Sequence, residues 1–449
     1  MAKYGVNFTE GSVFKNHLRF AFPLMLTSVL QLFYNAADQV VVGRFEGSHA
    51  LAAIGATGSL NLLLINLFMG LSVGASIVIS RKYGSGDMHG LNQTAHSAVG
   101  ISFIMGIISA IAGQIFCRPL LSFLGTPPEV INLSVLYMRI LFIGAPFVMV
   151  YNFGAAILRS VGDTKRPLYI LAATGVVNVV LNLILVIVFD MGVAGVAIAT
   201  ITANFLSASA VLYTLCKSDA PYRIKFKKIR ILKNDLIEFL KIGLPAGVQN
   251  IMFNLSNAVI QSSINSFGSD YMAAATASGS LEGFIYASAN SFSQATLTSV
   301  GQNYGAKNKK RIYKTLWAGI LCSSVTTIVL SGIFMLLSRQ LLGLYIADNP
   351  DAIEIAYRKM FITTLPYFFI GIMEQVGNLL NGMGKAINSA VNALLGTCVL
   401  RVLWVMFFSP MPSFNFLNLV YPVSWIATII LNVIVFLIIR KKAFREMLI

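Results

Sequence analysis

Hydrophobic positions in this chain fall in long unbroken runs and do not alternate with polar ones. Apolar runs of about 20 residues recur near 17–43, 52–80, 93–117, 131–158, 167–189, 193–216, 237–265, 272–301, 314–337, 352–381, 386–408 and 417–439. Each can cross ~30 Å of hydrocarbon as a helix. Alternation of the kind an outer-membrane barrel needs is missing. The pattern predicts an all-α polytopic membrane protein of about twelve spans. Several runs exceed a minimal crossing, which implies tilt or a bend, and Pro23, Pro245 and Pro366 are positions where a bend can form.

The runs form two copies. Shifted by about 222 residues, Pro23 falls on Pro245, Asn35 on Asn257, Gln39 on Gln261 and Phe45 on Phe267; Arg19 meets Lys241, and Gly162 meets Gly384. One residue of slippage brings Tyr83-Gly84 onto Tyr304-Gly305 and Thr94 onto Thr315. The charged stretch 217–235 separates the copies, giving an expected N-terminal six-helix lobe over 1–216, a cytoplasmic linker over 217–235 and a C-terminal six-helix lobe over 236–449. An even number of spans per copy returns the chain to its starting side. The two copies are therefore parallel repeats about an axis along the membrane normal. A cavity between the lobes is the expected substrate route.

Composition sharpens this. Hydrophobic residues make up 56 % of the chain and charged residues 11 %, too few charges to cover a soluble domain of this length. The net charge is +16. With both termini inside, the basic residues gather in cytoplasmic segments: Arg81 and Lys82, then Arg159, Lys165 and Arg166, then seven between Lys217 and Lys233, then Lys307 to Arg311, and Arg440 to Arg445. The opposite loops hold mainly Arg44, Arg118 and Arg339. This asymmetry predicts a multi-pass protein of the inner (plasma) membrane with both termini cytoplasmic. Because the basic residues alternate with spans, they form no nucleic-acid patch. The polar N-terminus has no cleavable-signal pattern, so the first helix is expected to remain. Cys117, Cys216, Cys322 and Cys398 stand singly, without metal or redox spacing, and read as packing residues. There is no Walker A sequence or nucleophile elbow, so an enzyme is not expected, no cofactor is called for, and energy must come from a gradient.

Where the copies disagree, chemistry is expected. Asp38 sits inside the first span, opposite Ile260 in the second copy. A carboxylate at membrane depth costs roughly 2.5–3.5 kcal/mol. Gln31, Asn35 and Asp38 share one helix face at i, i+4, i+7. Burial disfavours the ionised carboxylate and a bound cation favours it, so one Asp can become a site where H+ and Na+ compete. Asn178 and Asn182 on the fifth span, and Thr200 and Asn204 on the sixth, are i, i+4 pairs. They can offer oxygens to a small cation or hydrogen bonds between helices. The second copy holds Glu282, Glu374 and Arg401 within its spans. An unpaired charge there is costly, so Arg401 is expected to pair with Glu374 or Glu282, as a closed ion pair or with one acid facing a cationic substrate. Pro23 removes a helix donor and can bend the first span, although Pro245 repeats it without an acid. Aromatic and methionine side chains are abundant; most read as core or lipid-facing, and a minority as possible cavity lining for flat cations.

Three segments resemble one family. NAADQVVVGRFEGSHALAAIG (35–55), ILRSVGDTKRP (157–167) and NVVLN followed by GVAGVAIAT (178–200) are similar to motifs of the multidrug and toxic compound extrusion (MATE) transporters, prokaryotic DinF-like branch. The resemblance covers nearly the whole chain. It implies a cation-coupled antiporter, driven by H+ or Na+, that expels small amphipathic, often cationic, organic compounds and acts as a monomer in the lipid bilayer. By resemblance the cation site maps onto Asp38, Asn178, Asn182 and Thr200. That branch usually carries Asp where this chain has Asn182, so Na+ binding is expected to be weaker and protonation of Asp38 favoured. The alternative is a flippase for a lipid-linked saccharide, which shares the two-lobed plan but calls for a strongly basic cavity.

Overall fold

The computed structural model describes residues 5–123, 125–346, 349–408 and 411–448, with backbone only at 35, 39–40, 43, 47–52, 59–68 and 448. Helices account for nearly all of it: α1 (Val13–Phe45), α2 (Gly47–Ser85), α3 (Met88–Phe123), α4 (Pro128–Ile143), α5 (Ala145–Ser160), α6 (Lys165–Leu183), α7 (Gly192–Cys216), α8 (Lys233–Asn265), α9 (Ser269–Gly305), α10 (Lys309–Leu336), α11 (Ser338–Gly343), α12 (Pro350–Thr363), α13 (Phe368–Gly382), α14 (Ala386–Ala393), α15 (Leu400–Phe407), α16 (Phe414–Asn418) and α17 (Val420–Leu448). Two π-helical turns interrupt the series, Ile184–Val188 after α6 and Leu394–Val399 between α14 and α15. Among the described residues nine helices are long and apolar enough to cross a membrane, or ten if α4 and α5, bent by 49° at their junction, count as one crossing.

Local chemistry sets the helix ends. Asn308 accepts from the Arg311 amide at 3.1 Å and starts α10. Asn349 accepts from the Ala352 amide at 3.0 Å, with Pro350 at the first helical position of α12. α2 stops at Gly86, which adopts the left-handed conformation. The helix surfaces confirm the solvent these residues are built for. On α3, Phe103, Ile107, Ile111 and Ile115 form an exposed apolar stripe at helical spacing. On α10, Trp317, Leu321, Val325 and Ile328 do the same. Such stripes are stable only against lipid.

The chain packs as two compact units, one of Met1–Val6 with Leu26–Gly247 and one of Asn7–Met25 with Val248–Ile449. The chain changes unit inside α1 just after Pro23 and inside α8 just after Pro245, at repeat-equivalent positions. Within the first unit, α2 and α8 cross through glycines: a Cβ on Gly70 would lie 2.5 Å from the Gly243 oxygen and from the Gly247 nitrogen. These glycines belong to a small-xxx-small pattern in each helix, Gly70 with Gly74 and Gly243 with Gly247, which lets two backbones touch.

The segment 217–235 is folded onto the N-terminal end of α3. Asn92 donates to the carbonyls of Pro221 and Arg223, Ser97 bridges Arg230 and Leu232, and the Lys225 amide donates to His96 Nε2 at 2.9 Å. Asp235 receives the Thr94 hydroxyl at 3.1 Å and lies 3.7 Å from Lys82. In the GDTKRP loop, Gly162 has φ +90°, and any Cβ there would meet the Val6 backbone oxygen at 2.1 Å. The neighbouring Asp163 is buried and 2.9 Å from Arg166 Nε; burial pushes its carboxyl up from the ordinary value, while Arg166 and Lys165 pull it back.

Candidate functional site

In the first unit, helical spacing carries Asp38 on α1 toward α6, where Asn182 and Asn178 lie one turn apart on a single face. Asn182 Nδ2 donates to Asp38 Oδ1 at 2.5 Å. Asn182 also lies 3.5 Å from Asn178 Oδ1, and Asn178 Nδ2 lies 3.4 Å from Thr200 Oγ1 on α7. Asp38, Asn182, Asn178 and Thr200 thus form one continuous polar chain across three helices. Asn182 is 1 % exposed, and its Oδ1 has no hydrogen-bond partner. A buried acceptor without a donor is unfavourable by about 1–3 kcal/mol. A bound cation would satisfy it, so the donor set of one carboxylate, two amide oxygens and a hydroxyl fits a small hard ion.

Apolar packing surrounds this chain. Val41 and Val42 of α1, Tyr137 of α4, Val186 in the π-turn and Val193, Val196 and Ala197 of α7 form a buried cluster beyond Asp38. Tyr137 is close enough for its phenol to feel the Asp38 charge. Tyr137 escaped the sequence reading because nothing in the sequence sets it apart from other tyrosines in apolar runs. The π-turn begins two residues after Asn182, and such turns often occur at functional sites.

The remaining first-copy expectations fall differently. Gln31 is exposed, and Asn204 is half-buried; neither joins the hydrogen-bonded chain. The side chain of Asn35 lies outside the described residues. Pro23 lies within continuous helix α1.

In the second unit the expected pairing of Arg401 is not made. Glu282 is held by Lys359, whose Nζ is 3.0 Å from its Oε1, and by the Thr363 hydroxyl at 2.5 Å. Lys359 reaches Glu282 because α12 packs along α9, whereas Arg401 on α15 faces α8 and α17. Arg401 Nη1 donates to Asn257 Oδ1 at 2.7 Å and Nε donates to Ser424 Oγ at 3.1 Å. Its guanidinium lies 4.8 Å from the Tyr421 ring centre and 5.6 Å from that of Phe253. Lys359 was legible, since a lysine inside the apolar run 352–381 is a charge at membrane depth. Glu374 lines a separate polar cavity of about 20 Å³ with Asn378, Asn381, Asn432 and Gln249, room for roughly one water. Among the described residues no group of three or more His, Cys, Asp or Glu side chains is arranged to hold a metal ion.

Comparison with known proteins places this geometry. The chain is 29 % identical over 406 residues to the probable multidrug resistance protein YpnP of Bacillus subtilis (strain 168), covering 90 % of each chain. It is 28 % identical over 386 residues to the probable multidrug resistance protein YoeA of the same organism, covering 84 % of this chain and 83 % of that one. An outward-facing structure of a multidrug resistance MATE family transporter of the MOP superfamily shares the fold, with a TM-score of 0.90 at 22 % identity over 99 % of this chain and 100 % of that one. The MatE family model matches twice, at residues 23–184 and 245–406, with the offset of the internal repeat. Matched over most of its length, the chain belongs to the MatE family.

Proposed function

We propose that this protein is a cation-coupled secondary antiporter that exports small amphipathic, often cationic, organic compounds, with Asp38 as the coupling residue. The observation that carries the reading is the Asp38–Asn182–Asn178–Thr200 chain, with a membrane-depth carboxylate and an unsatisfied amide oxygen beside it. H+ or Na+ loads at Asp38, and the lone carboxylate favours the proton. The names of the relatives, multidrug resistance proteins and in Staphylococcus aureus the multidrug export protein MepA, support the substrate class.

Twelve crossings follow if α2 and α9 join the ten long apolar spans, two six-helix lobes then lying over 1–216 and 236–449 with 217–235 as the cytoplasmic connection. Both termini are cytoplasmic in this scheme, supported by the distribution of Lys and Arg. One charge moving inward through 100 mV supplies roughly 2.3 kcal/mol, and about 1.4 kcal/mol corresponds to a ten-fold gradient. For an uncharged substrate the membrane potential alone therefore sustains a gradient above ten-fold, whereas one-for-one exchange with a monovalent cation moves no net charge and draws on the ion's concentration gradient instead.

The test is efflux of a fluorescent organic cation from proteoliposomes under separately imposed H+ and Na+ gradients, with wild type and Asp38→Asn. Gradient-driven efflux that the substitution abolishes, with substrate binding retained, supports the reading. Normal transport by Asp38→Asn overturns it.

A further inference from the structure

Arg401 brings a full positive charge into the interior of the second unit, 2 % exposed, with no carboxylate among its partners. A guanidinium stays charged in proteins and carries five N–H donors. Two are used, Nε on Ser424 and one Nη1 hydrogen on Asn257. The other three, one on Nη1 and two on Nη2, have no acceptor among the described residues. Both existing acceptors are neutral, and the Tyr421 and Phe253 rings orient the guanidinium without cancelling its charge. Glu282 is already paired with Lys359, and Glu374 makes no ion pair with Arg401, so among the described residues no carboxylate of the unit touches the guanidinium. Phe253, which stacks on the guanidinium, also lines the cavity that holds Glu374.

We propose that Arg401, held by Asn257 and Ser424 and flanked by Phe253 and Tyr421, is a binding subsite for the carboxylate of an aromatic organic anion or zwitterion. Nη2 with its two unused hydrogens, beside the second Nη1 hydrogen, can meet a carboxylate in a planar geometry. The flanking rings form an apolar and aromatic surround, which selects an aromatic body behind the charged group. An arriving carboxylate would supply the counter-charge that the fold omits. The proposal deepens the transporter reading by adding anionic or zwitterionic molecules to the substrate class.

Trp404 lies one turn from Arg401, and Trp425 packs edge-on against Tyr367 with ring centres 5.4 Å apart and adjoins Ser424, so in a protein whose exposed Trp317 is replaced by Phe, tryptophan emission reports the subsite. The experiment measures quenching of that emission in the full-length protein in detergent by 1-pyrenebutyrate and by its uncharged methyl ester. Wild type is expected to bind the acid about ten-fold more tightly than the ester. Arg401→Gln should bring the ratio to about one. Asn257→Asp keeps the guanidinium but gives it an internal counter-charge, and should remove the preference as well. Equal binding of acid and ester by wild type overturns the proposal, as does a preference that survives Asn257→Asp. If Arg401→Gln fails to fold, Asn257→Asp alone decides. The ratio is read at equilibrium without any gradient, so it stands or falls apart from the efflux result.

Discussion

In the first unit, Asn182 of α6 donates to Asp38 of α1 across 144 residues of chain; in the second, Arg401 of α15 donates to Asn257 of α8 across the same 144. The two bonds do not occupy equivalent positions. The repeat counterparts of Asp38 and Asn182 are Ile260 and Trp404, which join an apolar cluster with Ile264, Leu417 and Val420. The polar contact of the second unit has moved one helical turn back along both helices, and its charge has changed sign. The lesson is that the repeat preserves which helices meet, while the chemistry at the meeting point is free to diverge. A carboxylate at membrane depth is costly without a partner, and at this position the second copy offers none, its own acid Glu282 being held elsewhere by Lys359. One copy keeps it, and the other fills the position with apolar surface.

Removing the acid breaks the comparison most severely. Asp38→Asn should reduce gradient-driven efflux to background in proteoliposomes while leaving a folded, substrate-binding protein. Next in size is the second unit's ion pair. Lys359→Met leaves the partly buried Glu282 without its cation and should destabilise the protein by about 3 kcal/mol in thermal unfolding, the lower end for a buried pair, with most of the loss recovered by adding Glu282→Gln. Asn182→Asp sharpens the contrast by giving the first unit a second carboxylate. It should tighten Na+ binding about ten-fold, measured by isothermal titration, because an added opposite charge favours the cation-bound form. The smallest change is Thr200→Val, which preserves shape and removes one hydroxyl. With about 1 kcal/mol lost, cation affinity should weaken roughly five-fold.

Much of the first-unit site was legible. Asp38 stood out as an acid in an apolar run with no counterpart, and the i, i+4 spacing of Asn178 and Asn182 put both on one face. Gln31 shared the face of Asp38 by spacing yet lies exposed, because periodicity says which residues share a stripe and not which part of that stripe meets another helix. The partner of Arg401 was misread for a related reason. Charge balance in a span suggests an acid, but several acids and bases were available, and the choice depends on which helices touch.

The sequence by itself determined the solvent, the helical class, the two-fold repeat and the MatE motifs, because hydrophobic run length and residue identity are local properties. The tertiary structure decided which side chains meet. It set Lys359 against Glu282, tied 217–235 to α3, and placed a π-turn after Asn182 in one copy and before Arg401 in the other. A π-turn adds a residue to one turn and rotates everything beyond it, so a fixed repeat offset cannot carry contacts from one copy to the next. Contacts across 144 residues depend on that rotation and on where glycines such as Gly70 and Gly243 let helices close.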